Sequence, residues 1–251
     1  MVRRLTSCMS RISLDDAGRG ESHGRGMPVT PGSVTAFAQF ESTPATGTES
    51  APNSNWPVTL ARATVAVIDS AGISRPAQIS YASPRQVNYR VPPETATGLA
   101  TVRFTAAGIT VMSALKAVPV YPGLFKLNME NAAAEQVARF RGGQVVYEPV
   151  TGPIMVGPAS EQATLILYGT GFNSATPVTA TIGGIALPVA YDGPQGAFPG
   201  LDQVNIPLPS NLAGADRVDS SVTAAQKAVQ LGEHYHGAIM ASNSVRARVK
   251  L

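Results

Sequence analysis

One short motif occurs twice in the sequence, and this repeat limits what the chain can fold into. Gln86-Val-Asn-Tyr-Arg-Val-Pro92 returns as Gln203-Val-Asn-Ile-Pro-Leu-Pro209. A tyrosine followed three residues later by a proline precedes each copy, at Tyr81 and at Tyr191. The distance between the copies is too long for a solenoid repeat, so the motif predicts two copies of one small domain.

The composition favours short strands joined by turns. Of the 251 residues, 44% are hydrophobic and only 14% are charged, with 24 glycines and 20 prolines. Short runs of Val, Ile and Thr separated by Gly and Pro are typical of all-β proteins. We therefore predict an all-β fold with two tandem Ig-like β-sandwich domains.

The runs and turns divide the chain into four parts. Residues 1–28 are rich in Arg, Gly and Ser without periodicity, which predicts a disordered tail or a misassigned start. Residues 29–125 and 161–251 each show the closely spaced strands of an Ig-like sandwich. Residues 126–160 are predicted to be a connecting segment with a short hairpin at Gly142-Gly143.

Alternation within the motif predicts its structural role. Val87 and Tyr89 occupy every second position and are expected to face the core, with Asn88 on the opposite side. We expect the asparagine of each copy to bind neighbouring backbone rather than a ligand. Pro207 stands where the first copy has Arg90, which predicts an edge or bulged strand because proline cannot donate to the ladder.

The charge argues against nucleic acid as a partner. The sequence pI is about 9.2, but residues 1–27 hold five arginines against three acidic residues and account for most of the net charge of +3. A nucleic-acid binder needs a basic surface, which the rest of the chain lacks. No apolar run approaches the roughly 20 residues that span a bilayer. Cys8 is the only cysteine, which excludes an intramolecular disulfide.

A series of short motifs runs through residues 29–251. They are Pro31-Gly32-Ser33, Ser83-Pro84, Gln86-Val-Asn-Tyr-Arg-Val-Pro92, Pro122-Gly-Leu-Phe125, Leu167-Tyr-Gly-Thr-Gly171, Thr181-Ile-Gly-Gly184, Gly200-Leu-Asp-Gln-Val-Asn205 and Ser242-Asn-Ser-Val245. In sequence and in order, these motifs resemble those of a family of uncharacterised domains at the C-termini of secreted acidobacterial (Solibacter-type) proteins. The resemblance implies tandem Ig-like sandwiches, similar to IPT/TIG domains and attached behind other extracellular modules. It implies no activity, no cofactor and no catalytic residues.

Three features depart from this family. The N-terminal sequence does not predict an export signal, because Leu5-Thr-Ser-Cys-Met-Ser-Arg11 lacks the apolar central region of a signal peptide. Asp219-Ser-Ser221 stands where the family has a continuous apolar strand. Relative to the family, residues 228–240 are an insertion before the final strand. These departures predict a weakened last hairpin.

Few residues suggest chemistry. His234 and His236 would share one face of a strand and are weak candidates for a metal site, although the preferred interpretation is a solvated loop. Gly169-Thr-Gly171 lacks the third glycine of a dinucleotide fingerprint, and we expect its glycines to turn the chain with positive φ. There is no Gly-x-Ser-x-Gly elbow. We therefore predict a non-catalytic protein without cofactors, with an undetected hydrolase as the second alternative.

The loop at residues 195–202 is the candidate binding loop, because the second copy of the motif is preceded by a longer insertion than the first. Tyr191, Phe198 and Asp202 are its candidate ligand or partner residues, although packing of Phe198 on its own sandwich is the preferred interpretation. The predicted function is an extracellular or cell-surface module with a structural, adhesive or protein-interaction role. Its partner would be a cell-surface protein or a polysaccharide, and a carbohydrate-binding module is the first alternative.

Overall fold

The computed structural model describes residues 28–38, 45–125, 135–150, 154, 156, 161–172, 177–182, 184–212, 217–224 and 244–250. Contacts between residues divide the chain into two units. Unit 1 comprises Met1–Tyr121 and Gln195–Leu201, and unit 2 comprises Pro122–Pro194 and Asp202–Leu251. The predicted tail up to residue 27 and the predicted insertion at 228–240 lie outside the described residues.

Unit 1 contains two β-sheets. Its strands are β1 Pro28–Val29, β2 Val34–Ala38, β3 Glu49–Ser50, β4 Thr59–Leu60, β5 Ala63–Ile68, β6 Ser74–Pro76, β7 Gln78–Ser83, β8 Gln86–Arg90, β9 Gly98–Ala106 and β10 Ile109–Ala117. One sheet has the order β1-β10-β9-β5-β4, with β6 also paired to β5, and the other has the order β2-β8-β7-β3. If β2 and β5–β10 are taken as strands B, C, C′, D, E, F and G, the sheets read B-E-D and G-F-C-C′, which is the Ig-like order.

Unit 2 repeats this order. Its strands are β11 Gly123–Leu124, β12 Glu135–Arg141, β13 Gln144–Pro149, β14 Gln162–Thr170, β15 Val178–Ile182, β16 Ile185–Leu187, β17 Tyr191–Pro194, β18 Asp202–Leu208, β19 Arg217–Ala224 and β20 Ser244–Lys250, with a 3₁₀ turn at Ser210–Leu212. One sheet has the order β13-β12-β14-β18-β17, with β11 also on β14, and the other β16-β15-β19-β20. With β14–β20 as strands B to G, these sheets again contain B-E-D and C′-C-F-G. The prediction of two tandem Ig-like sandwiches is confirmed.

The core of each sandwich lies between its two sheets. Along the strands of unit 1, apolar side chains occupy every second position and point to the inner face of their sheet. The rings of Tyr89 on β8 and Phe104 on β9 meet edge to face, with centroids 5.7 Å apart. The other large buried side chains of these faces include Val65, Val67, Ile79, Val87 and Val102 in unit 1, and Leu165, Leu167, Ile182, Val204 and Ile206 in unit 2.

The doubled motif occupies the same place in both units. β8 and β18 are the E strands, each lying between strands B and D. Gln86 Nε2 donates to Asn88 Oδ1 at 2.5 Å, and Gln203 Nε2 donates to Asn205 Oδ1 at 2.7 Å. In both units the preceding tyrosine lies opposite the asparagine in the register. The repeat is therefore a framework element, in which each asparagine accepts a bond from the glutamine two residues earlier.

The prediction of an edge strand at the second copy of the motif is wrong. β18 is not an edge strand, because β14 and β17 flank it; Pro207 lies beyond Asn205, where the pairing with β17 ends. The missing N–H of proline therefore removes no bond to β17. Asp219-Ser-Ser221 lies within β19 and pairs with β20 throughout. Backbone hydrogen bonds hold polar residues in a strand as well as apolar ones. Within the described residues, no helix has the length and apolarity needed to cross a bilayer.

The glycines of Gly169-Thr-Gly171 have two different roles. Gly171 has a φ of 82° and turns the chain out of β14, as predicted. The prediction is wrong for Gly169, which lies inside β14 and does not have positive φ. A Cβ added there would overlap the carbonyl oxygen of Gly123 and lie 2.9 Å from Phe172 Cε2. Gly169 therefore allows β11 to approach β14 closely.

We expect Gly169→Ala to destabilise unit 2 by about 2 kcal/mol, since an added methyl group forces backbone apart in a packed interior. Gly123→Ala is the matched control on the opposing strand, because a Cβ added there meets nothing within 4 Å. Urea unfolding followed by far-UV circular dichroism measures both. Equal stabilities of the two variants would contradict this role of Gly169.

Candidate interaction edge

The hairpin of β12 and β13 is built on a two-residue glycine turn. Gly142 and Gly143 both have positive φ, 55° and 81°, as a type I′ turn requires. Arg141 and Gln144 flank the turn and are paired in the register. The sequence predicted this hairpin from the glycine pair, and β12 and β13 are the strands expected on its two sides.

β13 is an open edge. In the part of the chain that the structure describes, it pairs with β12 alone. Among the other described edge strands, β2 starts with buried Val34 and Thr35, whereas β10 pairs with β1 only at Lys116 and Ala117. Proteins commonly protect sheet edges by covering them or by placing positive charges on them. Among the described residues, no strand covers the outer side of β13, and β13 itself contains no basic residue.

Three large apolar side chains are exposed on the outer face of this hairpin. Phe140, Val145 and Tyr147, which we call the hairpin patch, are 51%, 53% and 55% exposed. Phe140 is paired with Val145, and Tyr147 with Ala138, so all of these side chains lie on one face of the sheet. Isolated exposed apolar residues are ordinary, but a contiguous group beside an open strand indicates an interaction surface.

The pairing pattern shows which backbone groups of β13 point away from β12. The two residues that flank a two-residue turn exchange both of their hydrogen bonds, and the pattern then alternates along the ladder. Val146 and Glu148 therefore bond to β12, whereas the N–H and C=O groups of Val145 and Tyr147 point to the open side. Pro149, at the next outward position, has no N–H. The open side thus offers two adjacent donor–acceptor sites.

The charged residues of the hairpin lie on its other face. The Arg139 side chain is only 3% exposed, and its Nε donates to Glu148 Oε2 at 2.7 Å. Arg141 Nε donates to Glu161 Oε2 at 2.7 Å, and this bond together with the charge of Glu161 raises the pKa of Arg141. Among the described residues, Arg139 Nη1 is buried without a hydrogen-bond partner. This network holds β12 and β13 together without placing charge on the hairpin patch.

The predicted loop residues differ in exposure. Phe198 belongs to unit 1 and is 9% exposed, whereas Tyr191 belongs to unit 2 and is 41% exposed. The Tyr191 hydroxyl donates to the carbonyl of Pro194 at 2.6 Å. The same loop approaches unit 1 backbone closely, since a Cβ added at Gly200 would lie 2.8 Å from Gly32 O.

Asp202 has a structural bond. It is 2% exposed, and its Oδ2 accepts a hydrogen bond from the backbone N–H of Phe172 at 2.7 Å. His234 and His236 lie outside the described residues. Among the described residues, no group of three or more His, Cys, Asp and Glu side chains is placed to hold a metal ion.

A shallow groove of about 300 Å³ lies on unit 1, between Arg75, Arg90 and the Pro92-Pro93 turn. Its arginines already have partners: Arg75 pairs with Asp69, and Arg90 Nε donates to the Gly32 carbonyl at 3.1 Å. Burial alone would raise the pKa of Asp69. The bonds that the carboxylate accepts from Arg75 and from three backbone N–H groups outweigh burial and lower that pKa to about 2. These groups stabilise the turn after β5.

The sequence of β13 does not by itself identify an open edge. Gln144-Val-Val-Tyr-Glu-Pro149 has apolar residues on both faces of the strand and no basic residue. A strand buried in a sheet core could have the same pattern. Only the pairing of β12 with β14 shows that β13 has one neighbour.

One solved structure to which the chain is similar is "Titin Ig tandem domains A164-A165". The identity is 12%, 89% of each chain is covered, and the TM-score is 0.23. No family model matches the chain, and no curated protein matches it. The Ig-like assignment of each unit rests on the strand order of its own sheets.

Proposed function

We propose that this protein is a non-catalytic extracellular or cell-surface module that joins other proteins through the open edge of β13. The observation that carries the proposal is a six-residue edge strand whose outer face bears the hairpin patch. Ig-like sandwiches occur in many cell-surface domains, and an extracellular position also follows from the family resemblance described above.

Strand addition is the binding mode that fits this edge. An extended segment laid beside β13 would bond to the N–H and C=O groups of Val145 and Tyr147. Its side chains on the outer face would contact the hairpin patch and remove those apolar surfaces from water. The backbone bonds would supply affinity and the patch would supply selectivity for apolar residues at alternate positions.

A short strand-forming peptide tests this mode directly. The probe is an acetylated and amidated hexapeptide of alternating Thr and Val, titrated to millimolar concentration into the ¹⁵N-labelled protein. We expect the amide signals of Val145 and Tyr147 to shift most. The N-methylated peptide is the control, because it has the same side chains but cannot donate hydrogen bonds.

Val145→Pro supplies the matching change in the protein, since it removes one outward N–H, whereas Val145→Thr keeps it. Binding should be lost in the proline variant and retained in the threonine variant. An absence of shifts in β13 at millimolar peptide, with the fold intact by circular dichroism, would contradict the proposal.

Carbohydrate binding through the loop at 195–202 is the second candidate, and exposed Tyr191 is the observation in its favour. Phe198 and Asp202 add little to it, because both side chains are buried. A glycan array probed with the wild type and with Tyr191→Ala distinguishes the two candidates. Binding that disappears with Tyr191→Ala would favour the carbohydrate function.

A further inference from the structure

We propose that the partner of β13 is β13 of a second copy of this chain, paired antiparallel about a two-fold axis through Val146. The inference rests on the proposed function, because it names the occupant of the same open edge. A two-fold axis requires the same strand to be complementary to itself. β13 meets this requirement in its backbone, in its side chains and in its charges.

The backbone selects one register. With Val146 opposite Val146 of the second copy, Val145 lies opposite Tyr147 and each such pair can exchange both hydrogen bonds. A shift that centres the axis on Tyr147 places Val145 opposite Pro149, which has no N–H to donate. A shift that centres it on Val145 places Tyr147 opposite Gly143, which belongs to the turn. The register centred on Val146 therefore uses every outward group of Val145 and Tyr147.

The side chains agree with this register. On the outer face, Val145 of one copy would pair with Tyr147 of the other, next to both copies of Phe140, so two hairpin patches would merge into one. Aromatic and β-branched residues form favourable cross-strand pairs. On the inner face, Val146 would meet Val146 of the second copy; it is 42% exposed in the single chain.

The charges also agree. Glu148 of each copy would lie opposite Gln144 rather than opposite another acid, so no like charges face each other across the new ladder. The basic residues of the hairpin already have partners, since Arg139 bonds to Glu148 and Arg141 bonds to Glu161. Pairing would therefore leave no unpaired charge on the edge.

Cysteine cross-linking of the full chain, with Cys8→Ser in every variant, tests the register. In a non-hydrogen-bonded antiparallel pair the Cα atoms are about 4.5 Å apart, within disulfide reach. Val146→Cys should therefore give a covalent dimer under mild oxidation. Gln144→Cys should not, because its two copies would be about 13 Å apart along the strand direction.

Sedimentation velocity over a concentration series measures the pairing without cross-links. A strand pair buries less than the roughly 1,600 Å² of a standard interface, so we expect a reversible dimer at protein concentrations on the order of 100 µM. Gln144→Lys should strengthen it about threefold and Gln144→Glu should weaken it by a similar factor, through the facing Glu148. In the single chain Gln144 lies beside Arg141, so the same changes should affect stability in the opposite sense.

Equal cross-linking of the two cysteine variants, or a monomer at every concentration, would overturn the inference. If the hexapeptide still binds β13 in that case, the proposed function stands and the partner is another protein. If the hexapeptide also fails to bind, the proposed function fails as well.

Discussion

Replacing Glu148 with alanine is expected to lower the free energy of unfolding of unit 2 by about 3 kcal/mol, because it leaves a buried charge without its partner. The Arg139 side chain is 3% exposed, and the structure records Glu148 as its ion-pair partner at 2.7 Å. Its Nη1 is already buried without a hydrogen bond among the described residues. Removing the carboxylate would also leave the Nε–H group of Arg139 without its acceptor.

Arg139→Met should behave differently, because a methionine of similar length removes the buried charge instead of isolating it. We expect stability within about 1 kcal/mol of the wild type, or higher. Glu161→Ala is the control for a more exposed pair, and should cost no more than about 1 kcal/mol. Urea unfolding followed by far-UV circular dichroism measures all three. If Arg139→Met is as destabilising as Glu148→Ala, the isolated charge is not the cause.

Tyr89→Ala is expected to destabilise unit 1 by about 3–5 kcal/mol, since it opens a cavity beneath the repeated strand. Tyr89 is buried and its ring meets that of Phe104 edge to face. Trp56 is the only tryptophan, lies buried in unit 1, and therefore reports the unfolding of this unit by fluorescence.

Leu99→Ala provides the control for this prediction, because Leu99 is 71% exposed and its loss should change stability by less than about 0.5 kcal/mol. A double-mutant cycle of Tyr89 and Phe104 should show a coupling of about 0.5–1.5 kcal/mol. Additive effects of the two substitutions would show that the rings stabilise unit 1 only through the apolar surface that each buries, without a ring–ring contribution.

Local patterns in the sequence predicted the strands well because the physics behind them is local. The alternation of Val87 and Tyr89 places both in the core, and Gly142-Gly143 specifies a hairpin turn through φ alone. These features depend on the period of the strand and on the conformational freedom of glycine, both of which can be read from a few adjacent residues.

Features that depend on distant chain segments were not predicted. Gly169 is required by the close approach of Gly123, and the edge position of β13 follows from pairing between β12 and β14. In each case the deciding neighbour lies far away in sequence, where no short motif points to it.

Residue-resolved hydrogen exchange along β13 tests the open edge most directly. In dilute protein the amides of Val146 and Glu148, which bond to β12, should exchange slowly, whereas those of Val145 and Tyr147 should exchange rapidly. Saturation with the Thr–Val hexapeptide should slow exchange at Val145 and Tyr147 alone. Slow exchange of all four amides in dilute protein without the peptide would contradict the account, since the edge would then already be covered.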